Sequence, residues 1–318
     1  MTESRSPRRQ SLLWHIEAWL YDIARFFARM HPVDAVSDFG AQLFRTLGPL
    51  TSAHHVAETN LRIVFPTASD AHIQRMLRAQ WEETGRWVAE FPILDRIAEE
   101  PDRIQVEGLE RLTALADGAG PAVLISGHFS NFDVMALAIV RAGVQCQITY
   151  RATNNPYVDA RIVANRRRYG VKLFAPKGAG GARELFRALA RGESVALMND
   201  QKFNGGIAAP FFGRMAHTAP GPATYALRYR VPIQPMSVQR TDKARFKVIV
   251  HEPIWLEDTG DRNADIAAAV GRINAFMEER VLARPAEWFW VHKRWPNETY
   301  RTKAKAKAKA KVKAKAKR

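Results

Sequence analysis

Cysteine is nearly absent: Cys146 is the one thiol in 318 residues. A single thiol excludes a disulfide framework and a cysteine-based zinc site, and it fits a reducing compartment. Linkers rich in Pro, Gly or Ser are also missing, and no internal repeat occurs outside the last residues. Acid is scarce relative to base, with 32 Asp and Glu against 48 Lys and Arg, so the formal charge is +16. That figure invites a nucleic-acid reading, but it is unevenly spread. Residues 301–318 hold eight lysines, Arg301 and Arg318 with no acid, which leaves only +6 for residues 1–300. At 47% hydrophobic residues the body is far too apolar for a disordered chain and long enough to bury a sizeable core.

The tail from Lys303 to Arg318 alternates lysine with alanine, Val312 excepted. It has nothing to bury and its like charges repel, so residues 301–318 are expected to be disordered, with polyanions as partners. Nucleic acid is a partner for this tail only; an anionic membrane leaflet serves as well, at about 1 kcal/mol per lysine near the surface. A solvated extension without any partner is the simplest reading of such a composition.

At the other end, Leu12, Leu13, Ile16, Trp19, Leu20, Ile23, Phe26, Phe27 and Met30 recur at three- and four-residue steps. At about 100° per residue they fall within an arc of about 140°, an amphipathic helix. Glu17, Asp22, Arg25 and Arg29 interrupt the run. It therefore lacks the roughly 20 uncharged residues of a membrane span, and it has no signal-peptide cleavage site. With Arg5, Arg8 and Arg9 ahead of it, residues 1–30 read either as a helix docked on the protein's own core or as one lying in a membrane interface.

Helix-period apolar positions continue at 35–48, 51–63 and 69–96. After residue 120, short β-rich runs alternate with helical stretches. The expected strands are Ala122–Ser126, Gln145–Arg151, Val171–Phe174, Ser194–Asn199, Ile233–Arg240 and Phe246–His251. Helices are expected near 131–142, 156–168, 180–190, 218–229 and 264–282. Strands separated by crossover helices predict an α/β fold: a mainly parallel central sheet flanked by helices, with a helical N-terminal layer at 31–100, all in one domain over 31–300.

The chemistry gathers at the end of the first of these strands, in Ala122-Val-Leu-Ile-Ser-Gly-His-Phe-Ser-Asn-Phe-Asp-Val134. A histidine at a strand's C-terminal end stands where α/β sheets place catalytic groups. Ser130 or Asn131 would cap the following helix and put Asp133 in its first turn. From there the carboxylate could fold back onto one nitrogen of His128 and leave the other free to take a proton. A His-Asp pair without a serine or cysteine nucleophile suits general-base activation of a substrate hydroxyl. The plainer alternative is a capping box, Ser130-x-x-Asp133, beside a loop histidine.

This His-x4-Asp resembles the His-x4-acid motif of the glycerolipid acyltransferase superfamily. The neighbouring blocks resemble its lipid A late (lauroyl/myristoyl) acyltransferase branch: Gly127-His128-Phe129; Tyr150-Arg151 through Asn155-Pro156 to Asp159, with the Arg166–Arg168 cluster; Asn199-Asp200-Gln201; Phe212-Gly213, Thr218 and Gly221; and Val231-Pro-Ile-Gln-Pro235. Asn60-Leu-Arg-Ile-Val-Phe-Pro66 and Trp290-Val-His-Lys-Arg-Trp295 match its flanks. The likeness runs from about residue 10 to 296, although that branch usually carries Glu where Asp133 stands and begins with a more hydrophobic helix.

The resemblance implies an O-acyltransferase that needs no cofactor or metal. His128 and Asp133 would be catalytic, and Arg151, Arg166, Asp200 and Gln201 would bind substrate, with Arg166 also a candidate oxyanion donor. It implies acyl carrier protein or acyl-CoA as donor, a lipid A precursor as acceptor, and the cytoplasmic face of the inner membrane. The charged, amphipathic start of this chain, where the branch has a more hydrophobic helix, suggests a peripheral or monotopic attachment there. A lysophospholipid, an ornithine lipid or another glycolipid is the alternative acceptor. A non-catalytic polyanion binder working through the tail is the alternative from a different class.

Overall fold

A computed structural model describes residues 7–150, 152–171, 174–176 and 179–300. The expected tail and Arg151 lie outside them. Five helices come first: α1 (Pro7–Met30), α2 (Val33–Leu47), α3 (Ser52–Val64), α4 (Asp70–Glu90) and α5 (Leu94–Glu99). The expected single helix over 69–96 divides into α4 and α5 at the Phe91-Pro92-Ile93 turn, where proline supplies no amide for a continuing ladder. Ser69 starts α4 by accepting a hydrogen bond from the His72 amide at 3.3 Å.

The remainder alternates. In order it runs β1 (Ile104–Glu107), α6 (Leu109–Ala116), β2 (Val123–Ser126), α7 (Val134–Arg141), β3 (Cys146–Tyr150), α8 (Pro156–Arg168), β4 (Phe174–Pro176), α9 (Ala179–Ala190) and β5 (Ser194–Met198). A hairpin of β6 (Ile207–Phe211) and β7 (Arg214–Thr218) follows, then α10 (Gly221–Tyr229), β8 (Ile233–Asp242), β9 (Arg245–Val250) and α11 (Arg262–Ala283).

The sheet has seven strands in the order β1-β9-β8-β2-β5-β3-β4, and every pairing except β8 with β9 is parallel. β2 lies at its centre with every residue buried, as a parallel strand covered on both faces must be. The expected α/β architecture with a helical N-terminal layer is present. The short β1 and the β6–β7 hairpin, which stands as its own two-stranded sheet, are additions to it.

The N-terminal helix is docked in an unusual sense. Its polar side faces the protein: Glu17 accepts from the Asn155 amide at 2.9 Å, Asp22 pairs with Arg161 at 2.6 Å, and Arg29 pairs with the buried Asp95 at 2.7 Å. Its apolar stripe faces outward, with Leu12, Ile16, Trp19, Leu20, Phe26, Phe27 and Met30 all exposed. A helix settled on its own core in water does the reverse. No helix among the described residues is long and apolar enough to cross a membrane.

Candidate active site

β2 ends at Ser126, and Gly127 turns the chain so that His128 stands at the C-terminal edge of the sheet. A side chain at Gly127 would meet the Phe129 ring at 2.6 Å and Asp200 Cβ at 3.2 Å, so this close approach needs glycine. The neighbouring strand β5 pairs in parallel, with Ser126 opposite Met198. Asn199 continues the ladder by donating its amide to the Ser126 carbonyl at 2.9 Å. Adjacent parallel strands thus deliver their C-terminal loops side by side, and Asp200 arrives next to His128.

Asp200 is the residue that holds the histidine. Its Oδ1 lies 2.7 Å from His128 Nδ1, and its Oδ2 accepts from the His128 backbone N–H at 2.9 Å and from Trp288 Nε1 at 2.8 Å. Burial by itself raises the pKa of Asp200, but His128 and the hydrogen-bond donors around the carboxylate outweigh it and hold the group below the ordinary carboxylate range. An ionised Asp200 is an acceptor only, so His128 carries its proton on Nδ1. Nε2 is then the basic nitrogen. The amide nitrogen of Gln201 lies 3.2 Å from it, and the imidazole keeps 13% of its side-chain surface exposed.

The expected hydrogen bond from His128 to Asp133 is not made. Asp133 is the N-cap residue of α7, one position before the helix, and neither Ser130 nor Asn131 caps it. Its carboxylate is taken up elsewhere: Oδ1 accepts from Arg166 at 2.9 Å and Oδ2 from Trp87 Nε1 at 3.1 Å. Arg166 comes from the last turn of α8 and is 16% exposed at the side chain. Burial disfavours its charge, but Asp133 and Tyr169 overcome this and keep it cationic. The structure therefore replaces Asp133 with Asp200 as the carboxylate touching the imidazole, and joins Asp133 to Arg166 instead.

The turn between them is tightly held. Ser130 has φ of 45°, a left-handed conformation costly for a residue with a side chain. Its amide donates to the Glu287 carbonyl at 2.7 Å, while the His128 carbonyl accepts from the Phe289 amide at 3.0 Å. Asn131 reaches back to the buried Glu90 at 2.8 Å, and Arg240 pairs Glu90 at 2.6 Å and Glu83 at 2.9 Å. This buried ionic cluster fixes the loop from beneath. Nothing in the sequence pattern marked Glu90 or Arg240.

Phe132 packs edge-on against the imidazole with ring centroids 4.7 Å apart. Beyond Asp133 and Arg166 lies an apolar cavity of about 90 Å³, walled by Met135, Ile139, Val171, Met198 and Met236. Its volume is below the roughly 150 Å³ that accepts a benzene, but three of its walls are flexible methionines. Trp288, Trp290 and Trp295 are all buried, and Trp288 combines packing with its bond to Asp200. Cys146 is buried too, and burial pushes its thiol far above its usual range, so it has no thiolate to offer.

No curated protein matches the chain. Residues 4–297 match the family described as bacterial lipid A biosynthesis acyltransferase, and with nearly its whole described length covered the chain belongs to that acyltransferase family.

Proposed function

We propose that this acyltransferase moves a fatty acyl chain from a thioester, on acyl carrier protein or coenzyme A, to a hydroxyl of a lipid A precursor. The observation that supports it is the arrangement at His128: Nδ1 is held by a buried carboxylate at 2.7 Å, while the Gln201 amide nitrogen lies 3.2 Å from Nε2. An acceptor hydroxyl that displaces the Gln201 amide gives its proton to Nε2, and its oxygen attacks the thioester carbonyl. The tetrahedral oxyanion collapses and expels the thiolate, which takes the proton back from His128. An ester and a free thiol leave, with no covalent enzyme intermediate.

Arg166 is placed to stabilise the developing oxyanion or to bind a phosphate, and Asp133 positions it. Gln201 marks the place of the acceptor hydroxyl. Arg151, outside the described residues, remains a substrate-binding proposal on the family pattern alone. The methionine-walled cavity behind Arg166 is where the acyl chain would begin. We assign the enzyme to the cytoplasmic face of the inner membrane. The outward apolar stripe of α1 supports attachment there without a spanning helix.

The test is mass spectrometry of lipid A from cells lacking the protein, complemented by the wild-type chain or by His128→Ala. A secondary acyl chain that is lost, restored by wild type and not restored by His128→Ala is the expected result. Full restoration by His128→Ala would sink the proposal, and an unchanged lipid A would exclude this acceptor.

A further inference from the structure

α1 and α2 do not close against each other. Between them, with α4 as the floor, runs a groove enclosing about 520 Å³. Its walls are Ala24, Phe27 and Ala28 of α1 and Phe39 and Leu43 of α2, and Val88 and Ala89 of α4 lie beneath. Every lining residue except His31 is apolar or glycine. Phe39 at its lip is 66% exposed, and Phe27, Leu43 and Val88 are exposed as well. The floor is close to the α2–α4 crossing, where Gly40 and Gly85 meet backbone to backbone.

We infer that this groove is a hydrocarbon-binding site that takes up one acyl chain of a bilayer lipid. The inference rests on the proposed interfacial attachment and goes beyond it, because attachment requires only the outer stripe of α1. Three observations favour a lipid chain. The groove opens onto the same side as that stripe through the shared residue Phe27, so a membrane touching one reaches the other. α1 is bound to the protein by its charged side, through Glu17, Asp22 and Arg29, which commits its apolar side to an apolar environment. The charge, +6 over residues 1–300 and +10 over residues 301–318, attracts an anionic leaflet and opposes a second copy of the chain. A volume of about 520 Å³ is within the range of about 300–1,000 Å³ usual for ligand pockets.

The groove and the active site share a wall. α4 turns Val88 and Ala89 toward the groove and Trp87 toward Asp133, which it contacts at 3.1 Å.

Photolabelling tests the inference. The full-length protein is bound to vesicles of phosphatidylcholine and phosphatidylglycerol in a 3:1 ratio (on the order of a natural anionic leaflet), carrying a trace of phospholipid with a diazirine on its acyl chain. Labelled residues are then mapped by mass spectrometry. Expected are labels on the groove residues around Gly40 and 85–92 in addition to Trp19 and Phe26 on the outer stripe. Ala24→Phe and Ala35→Phe, both at exposed positions lining the groove, should each cut the groove labels at least about tenfold and leave the stripe labels unchanged. Labels confined to the stripe would overturn the groove and leave attachment standing. Protein that fails to float with the vesicles would overturn the attachment on which the groove depends. A dimer in sedimentation whose groove stays unlabelled would assign the surface to a second copy. None of these readouts uses acyl transfer, so they are independent of the catalytic proposal.

Discussion

Asp200 receives two hydrogen bonds from a single residue, the backbone N–H of His128 at 2.9 Å and its Nδ1 at 2.7 Å. The pair fixes the tautomer, the ring plane and the loop together. Asp200→Asn preserves shape but presents an amide N–H to Nδ1. His128 must then carry its proton on Nε2 and lose its basic lone pair there. Acyl transfer should fall about 10³–10⁴-fold with the fold intact, and His128→Ala with Asp200→Asn should be no slower than His128→Ala alone. Near-normal turnover by Asp200→Asn would show that another group orients the imidazole.

Asp133 belongs to a different unit. Asn keeps one acceptor oxygen for Trp87 but leaves Arg166 buried without its carboxylate, so Asp133→Asn should cost about 3–5 kcal/mol in urea unfolding. Because Arg166 then loses its position, a further loss of activity should appear even where the protein remains folded. The combination with Arg166→Gln should be far less than additive, which a double-mutant cycle reads directly. Strict additivity would disprove the coupling.

Glu287 links stability to pH. Burial raises its pKa from 4.5 to about 7, against the pull of Arg284, and one carboxyl oxygen has no partner. The folded protein therefore holds this proton where the unfolded chain releases it. The stabilisation is complete below about pH 4.5 and is lost as pH rises through about 7. Thermal melts between these values should fall with pH, by up to about 3 kcal/mol for this group, and Glu287→Gln should flatten that slope. An unchanged slope in the variant would assign the effect elsewhere.

Gly40 and Gly85 allow α2 and α4 to cross at contact distance. A Cβ on Gly40 would lie 2.3 Å from the Gly85 carbonyl oxygen, and one on Gly85 would lie 2.1 Å from that of Gly40. Alanine at either site gains about 1 kcal/mol of helix propensity but forces the helices apart. A net loss of about 1–3 kcal/mol is expected in chemical unfolding. A stabilised Gly40→Ala would mean that the crossing yields more easily than its geometry indicates.

A chain ending at residue 300 should still float with anionic vesicles, more weakly and with a smaller dependence on salt. The outward stripe of α1 is retained in it. Complete loss of vesicle binding would transfer attachment from the helix to residues 301–318.

What the sequence conveyed best was whatever depends on neighbours in the chain. The 3.6-residue period located α8 and α11 closely, and the apolar run at 122–126 marked the central strand. His128 was legible because strand, glycine and histidine are consecutive. Its partner was not, because Asp133 is five residues away along the chain and Asp200 seventy-two. Only the sheet order, which puts β5 beside β2, makes the distant aspartate the near one. Asp200 carried a substrate-binding expectation on family pattern without any sign of its bond to the imidazole. The direction of α1 was open for the same reason: its charged face is satisfied by Asp95, Asn155 and Arg161, none of them local. The capping role expected of Asn131 yielded to Glu90, a buried carboxylate that needed a donor.

The placement of His128 and Asp200 in the loops that follow neighbouring strands also governs when the site comes into being. A pair drawn from one turn could assemble as soon as that turn formed. This pair requires β2 and β5 to be in register, with α7, β3, α8, β4 and α9 already looped out between them. Closing so long a connection is slow compared with forming a helix. On the proposed mechanism, the chain therefore has no oriented imidazole until β2 and β5 have paired, and a molecule in which they have not should show no acyl transfer.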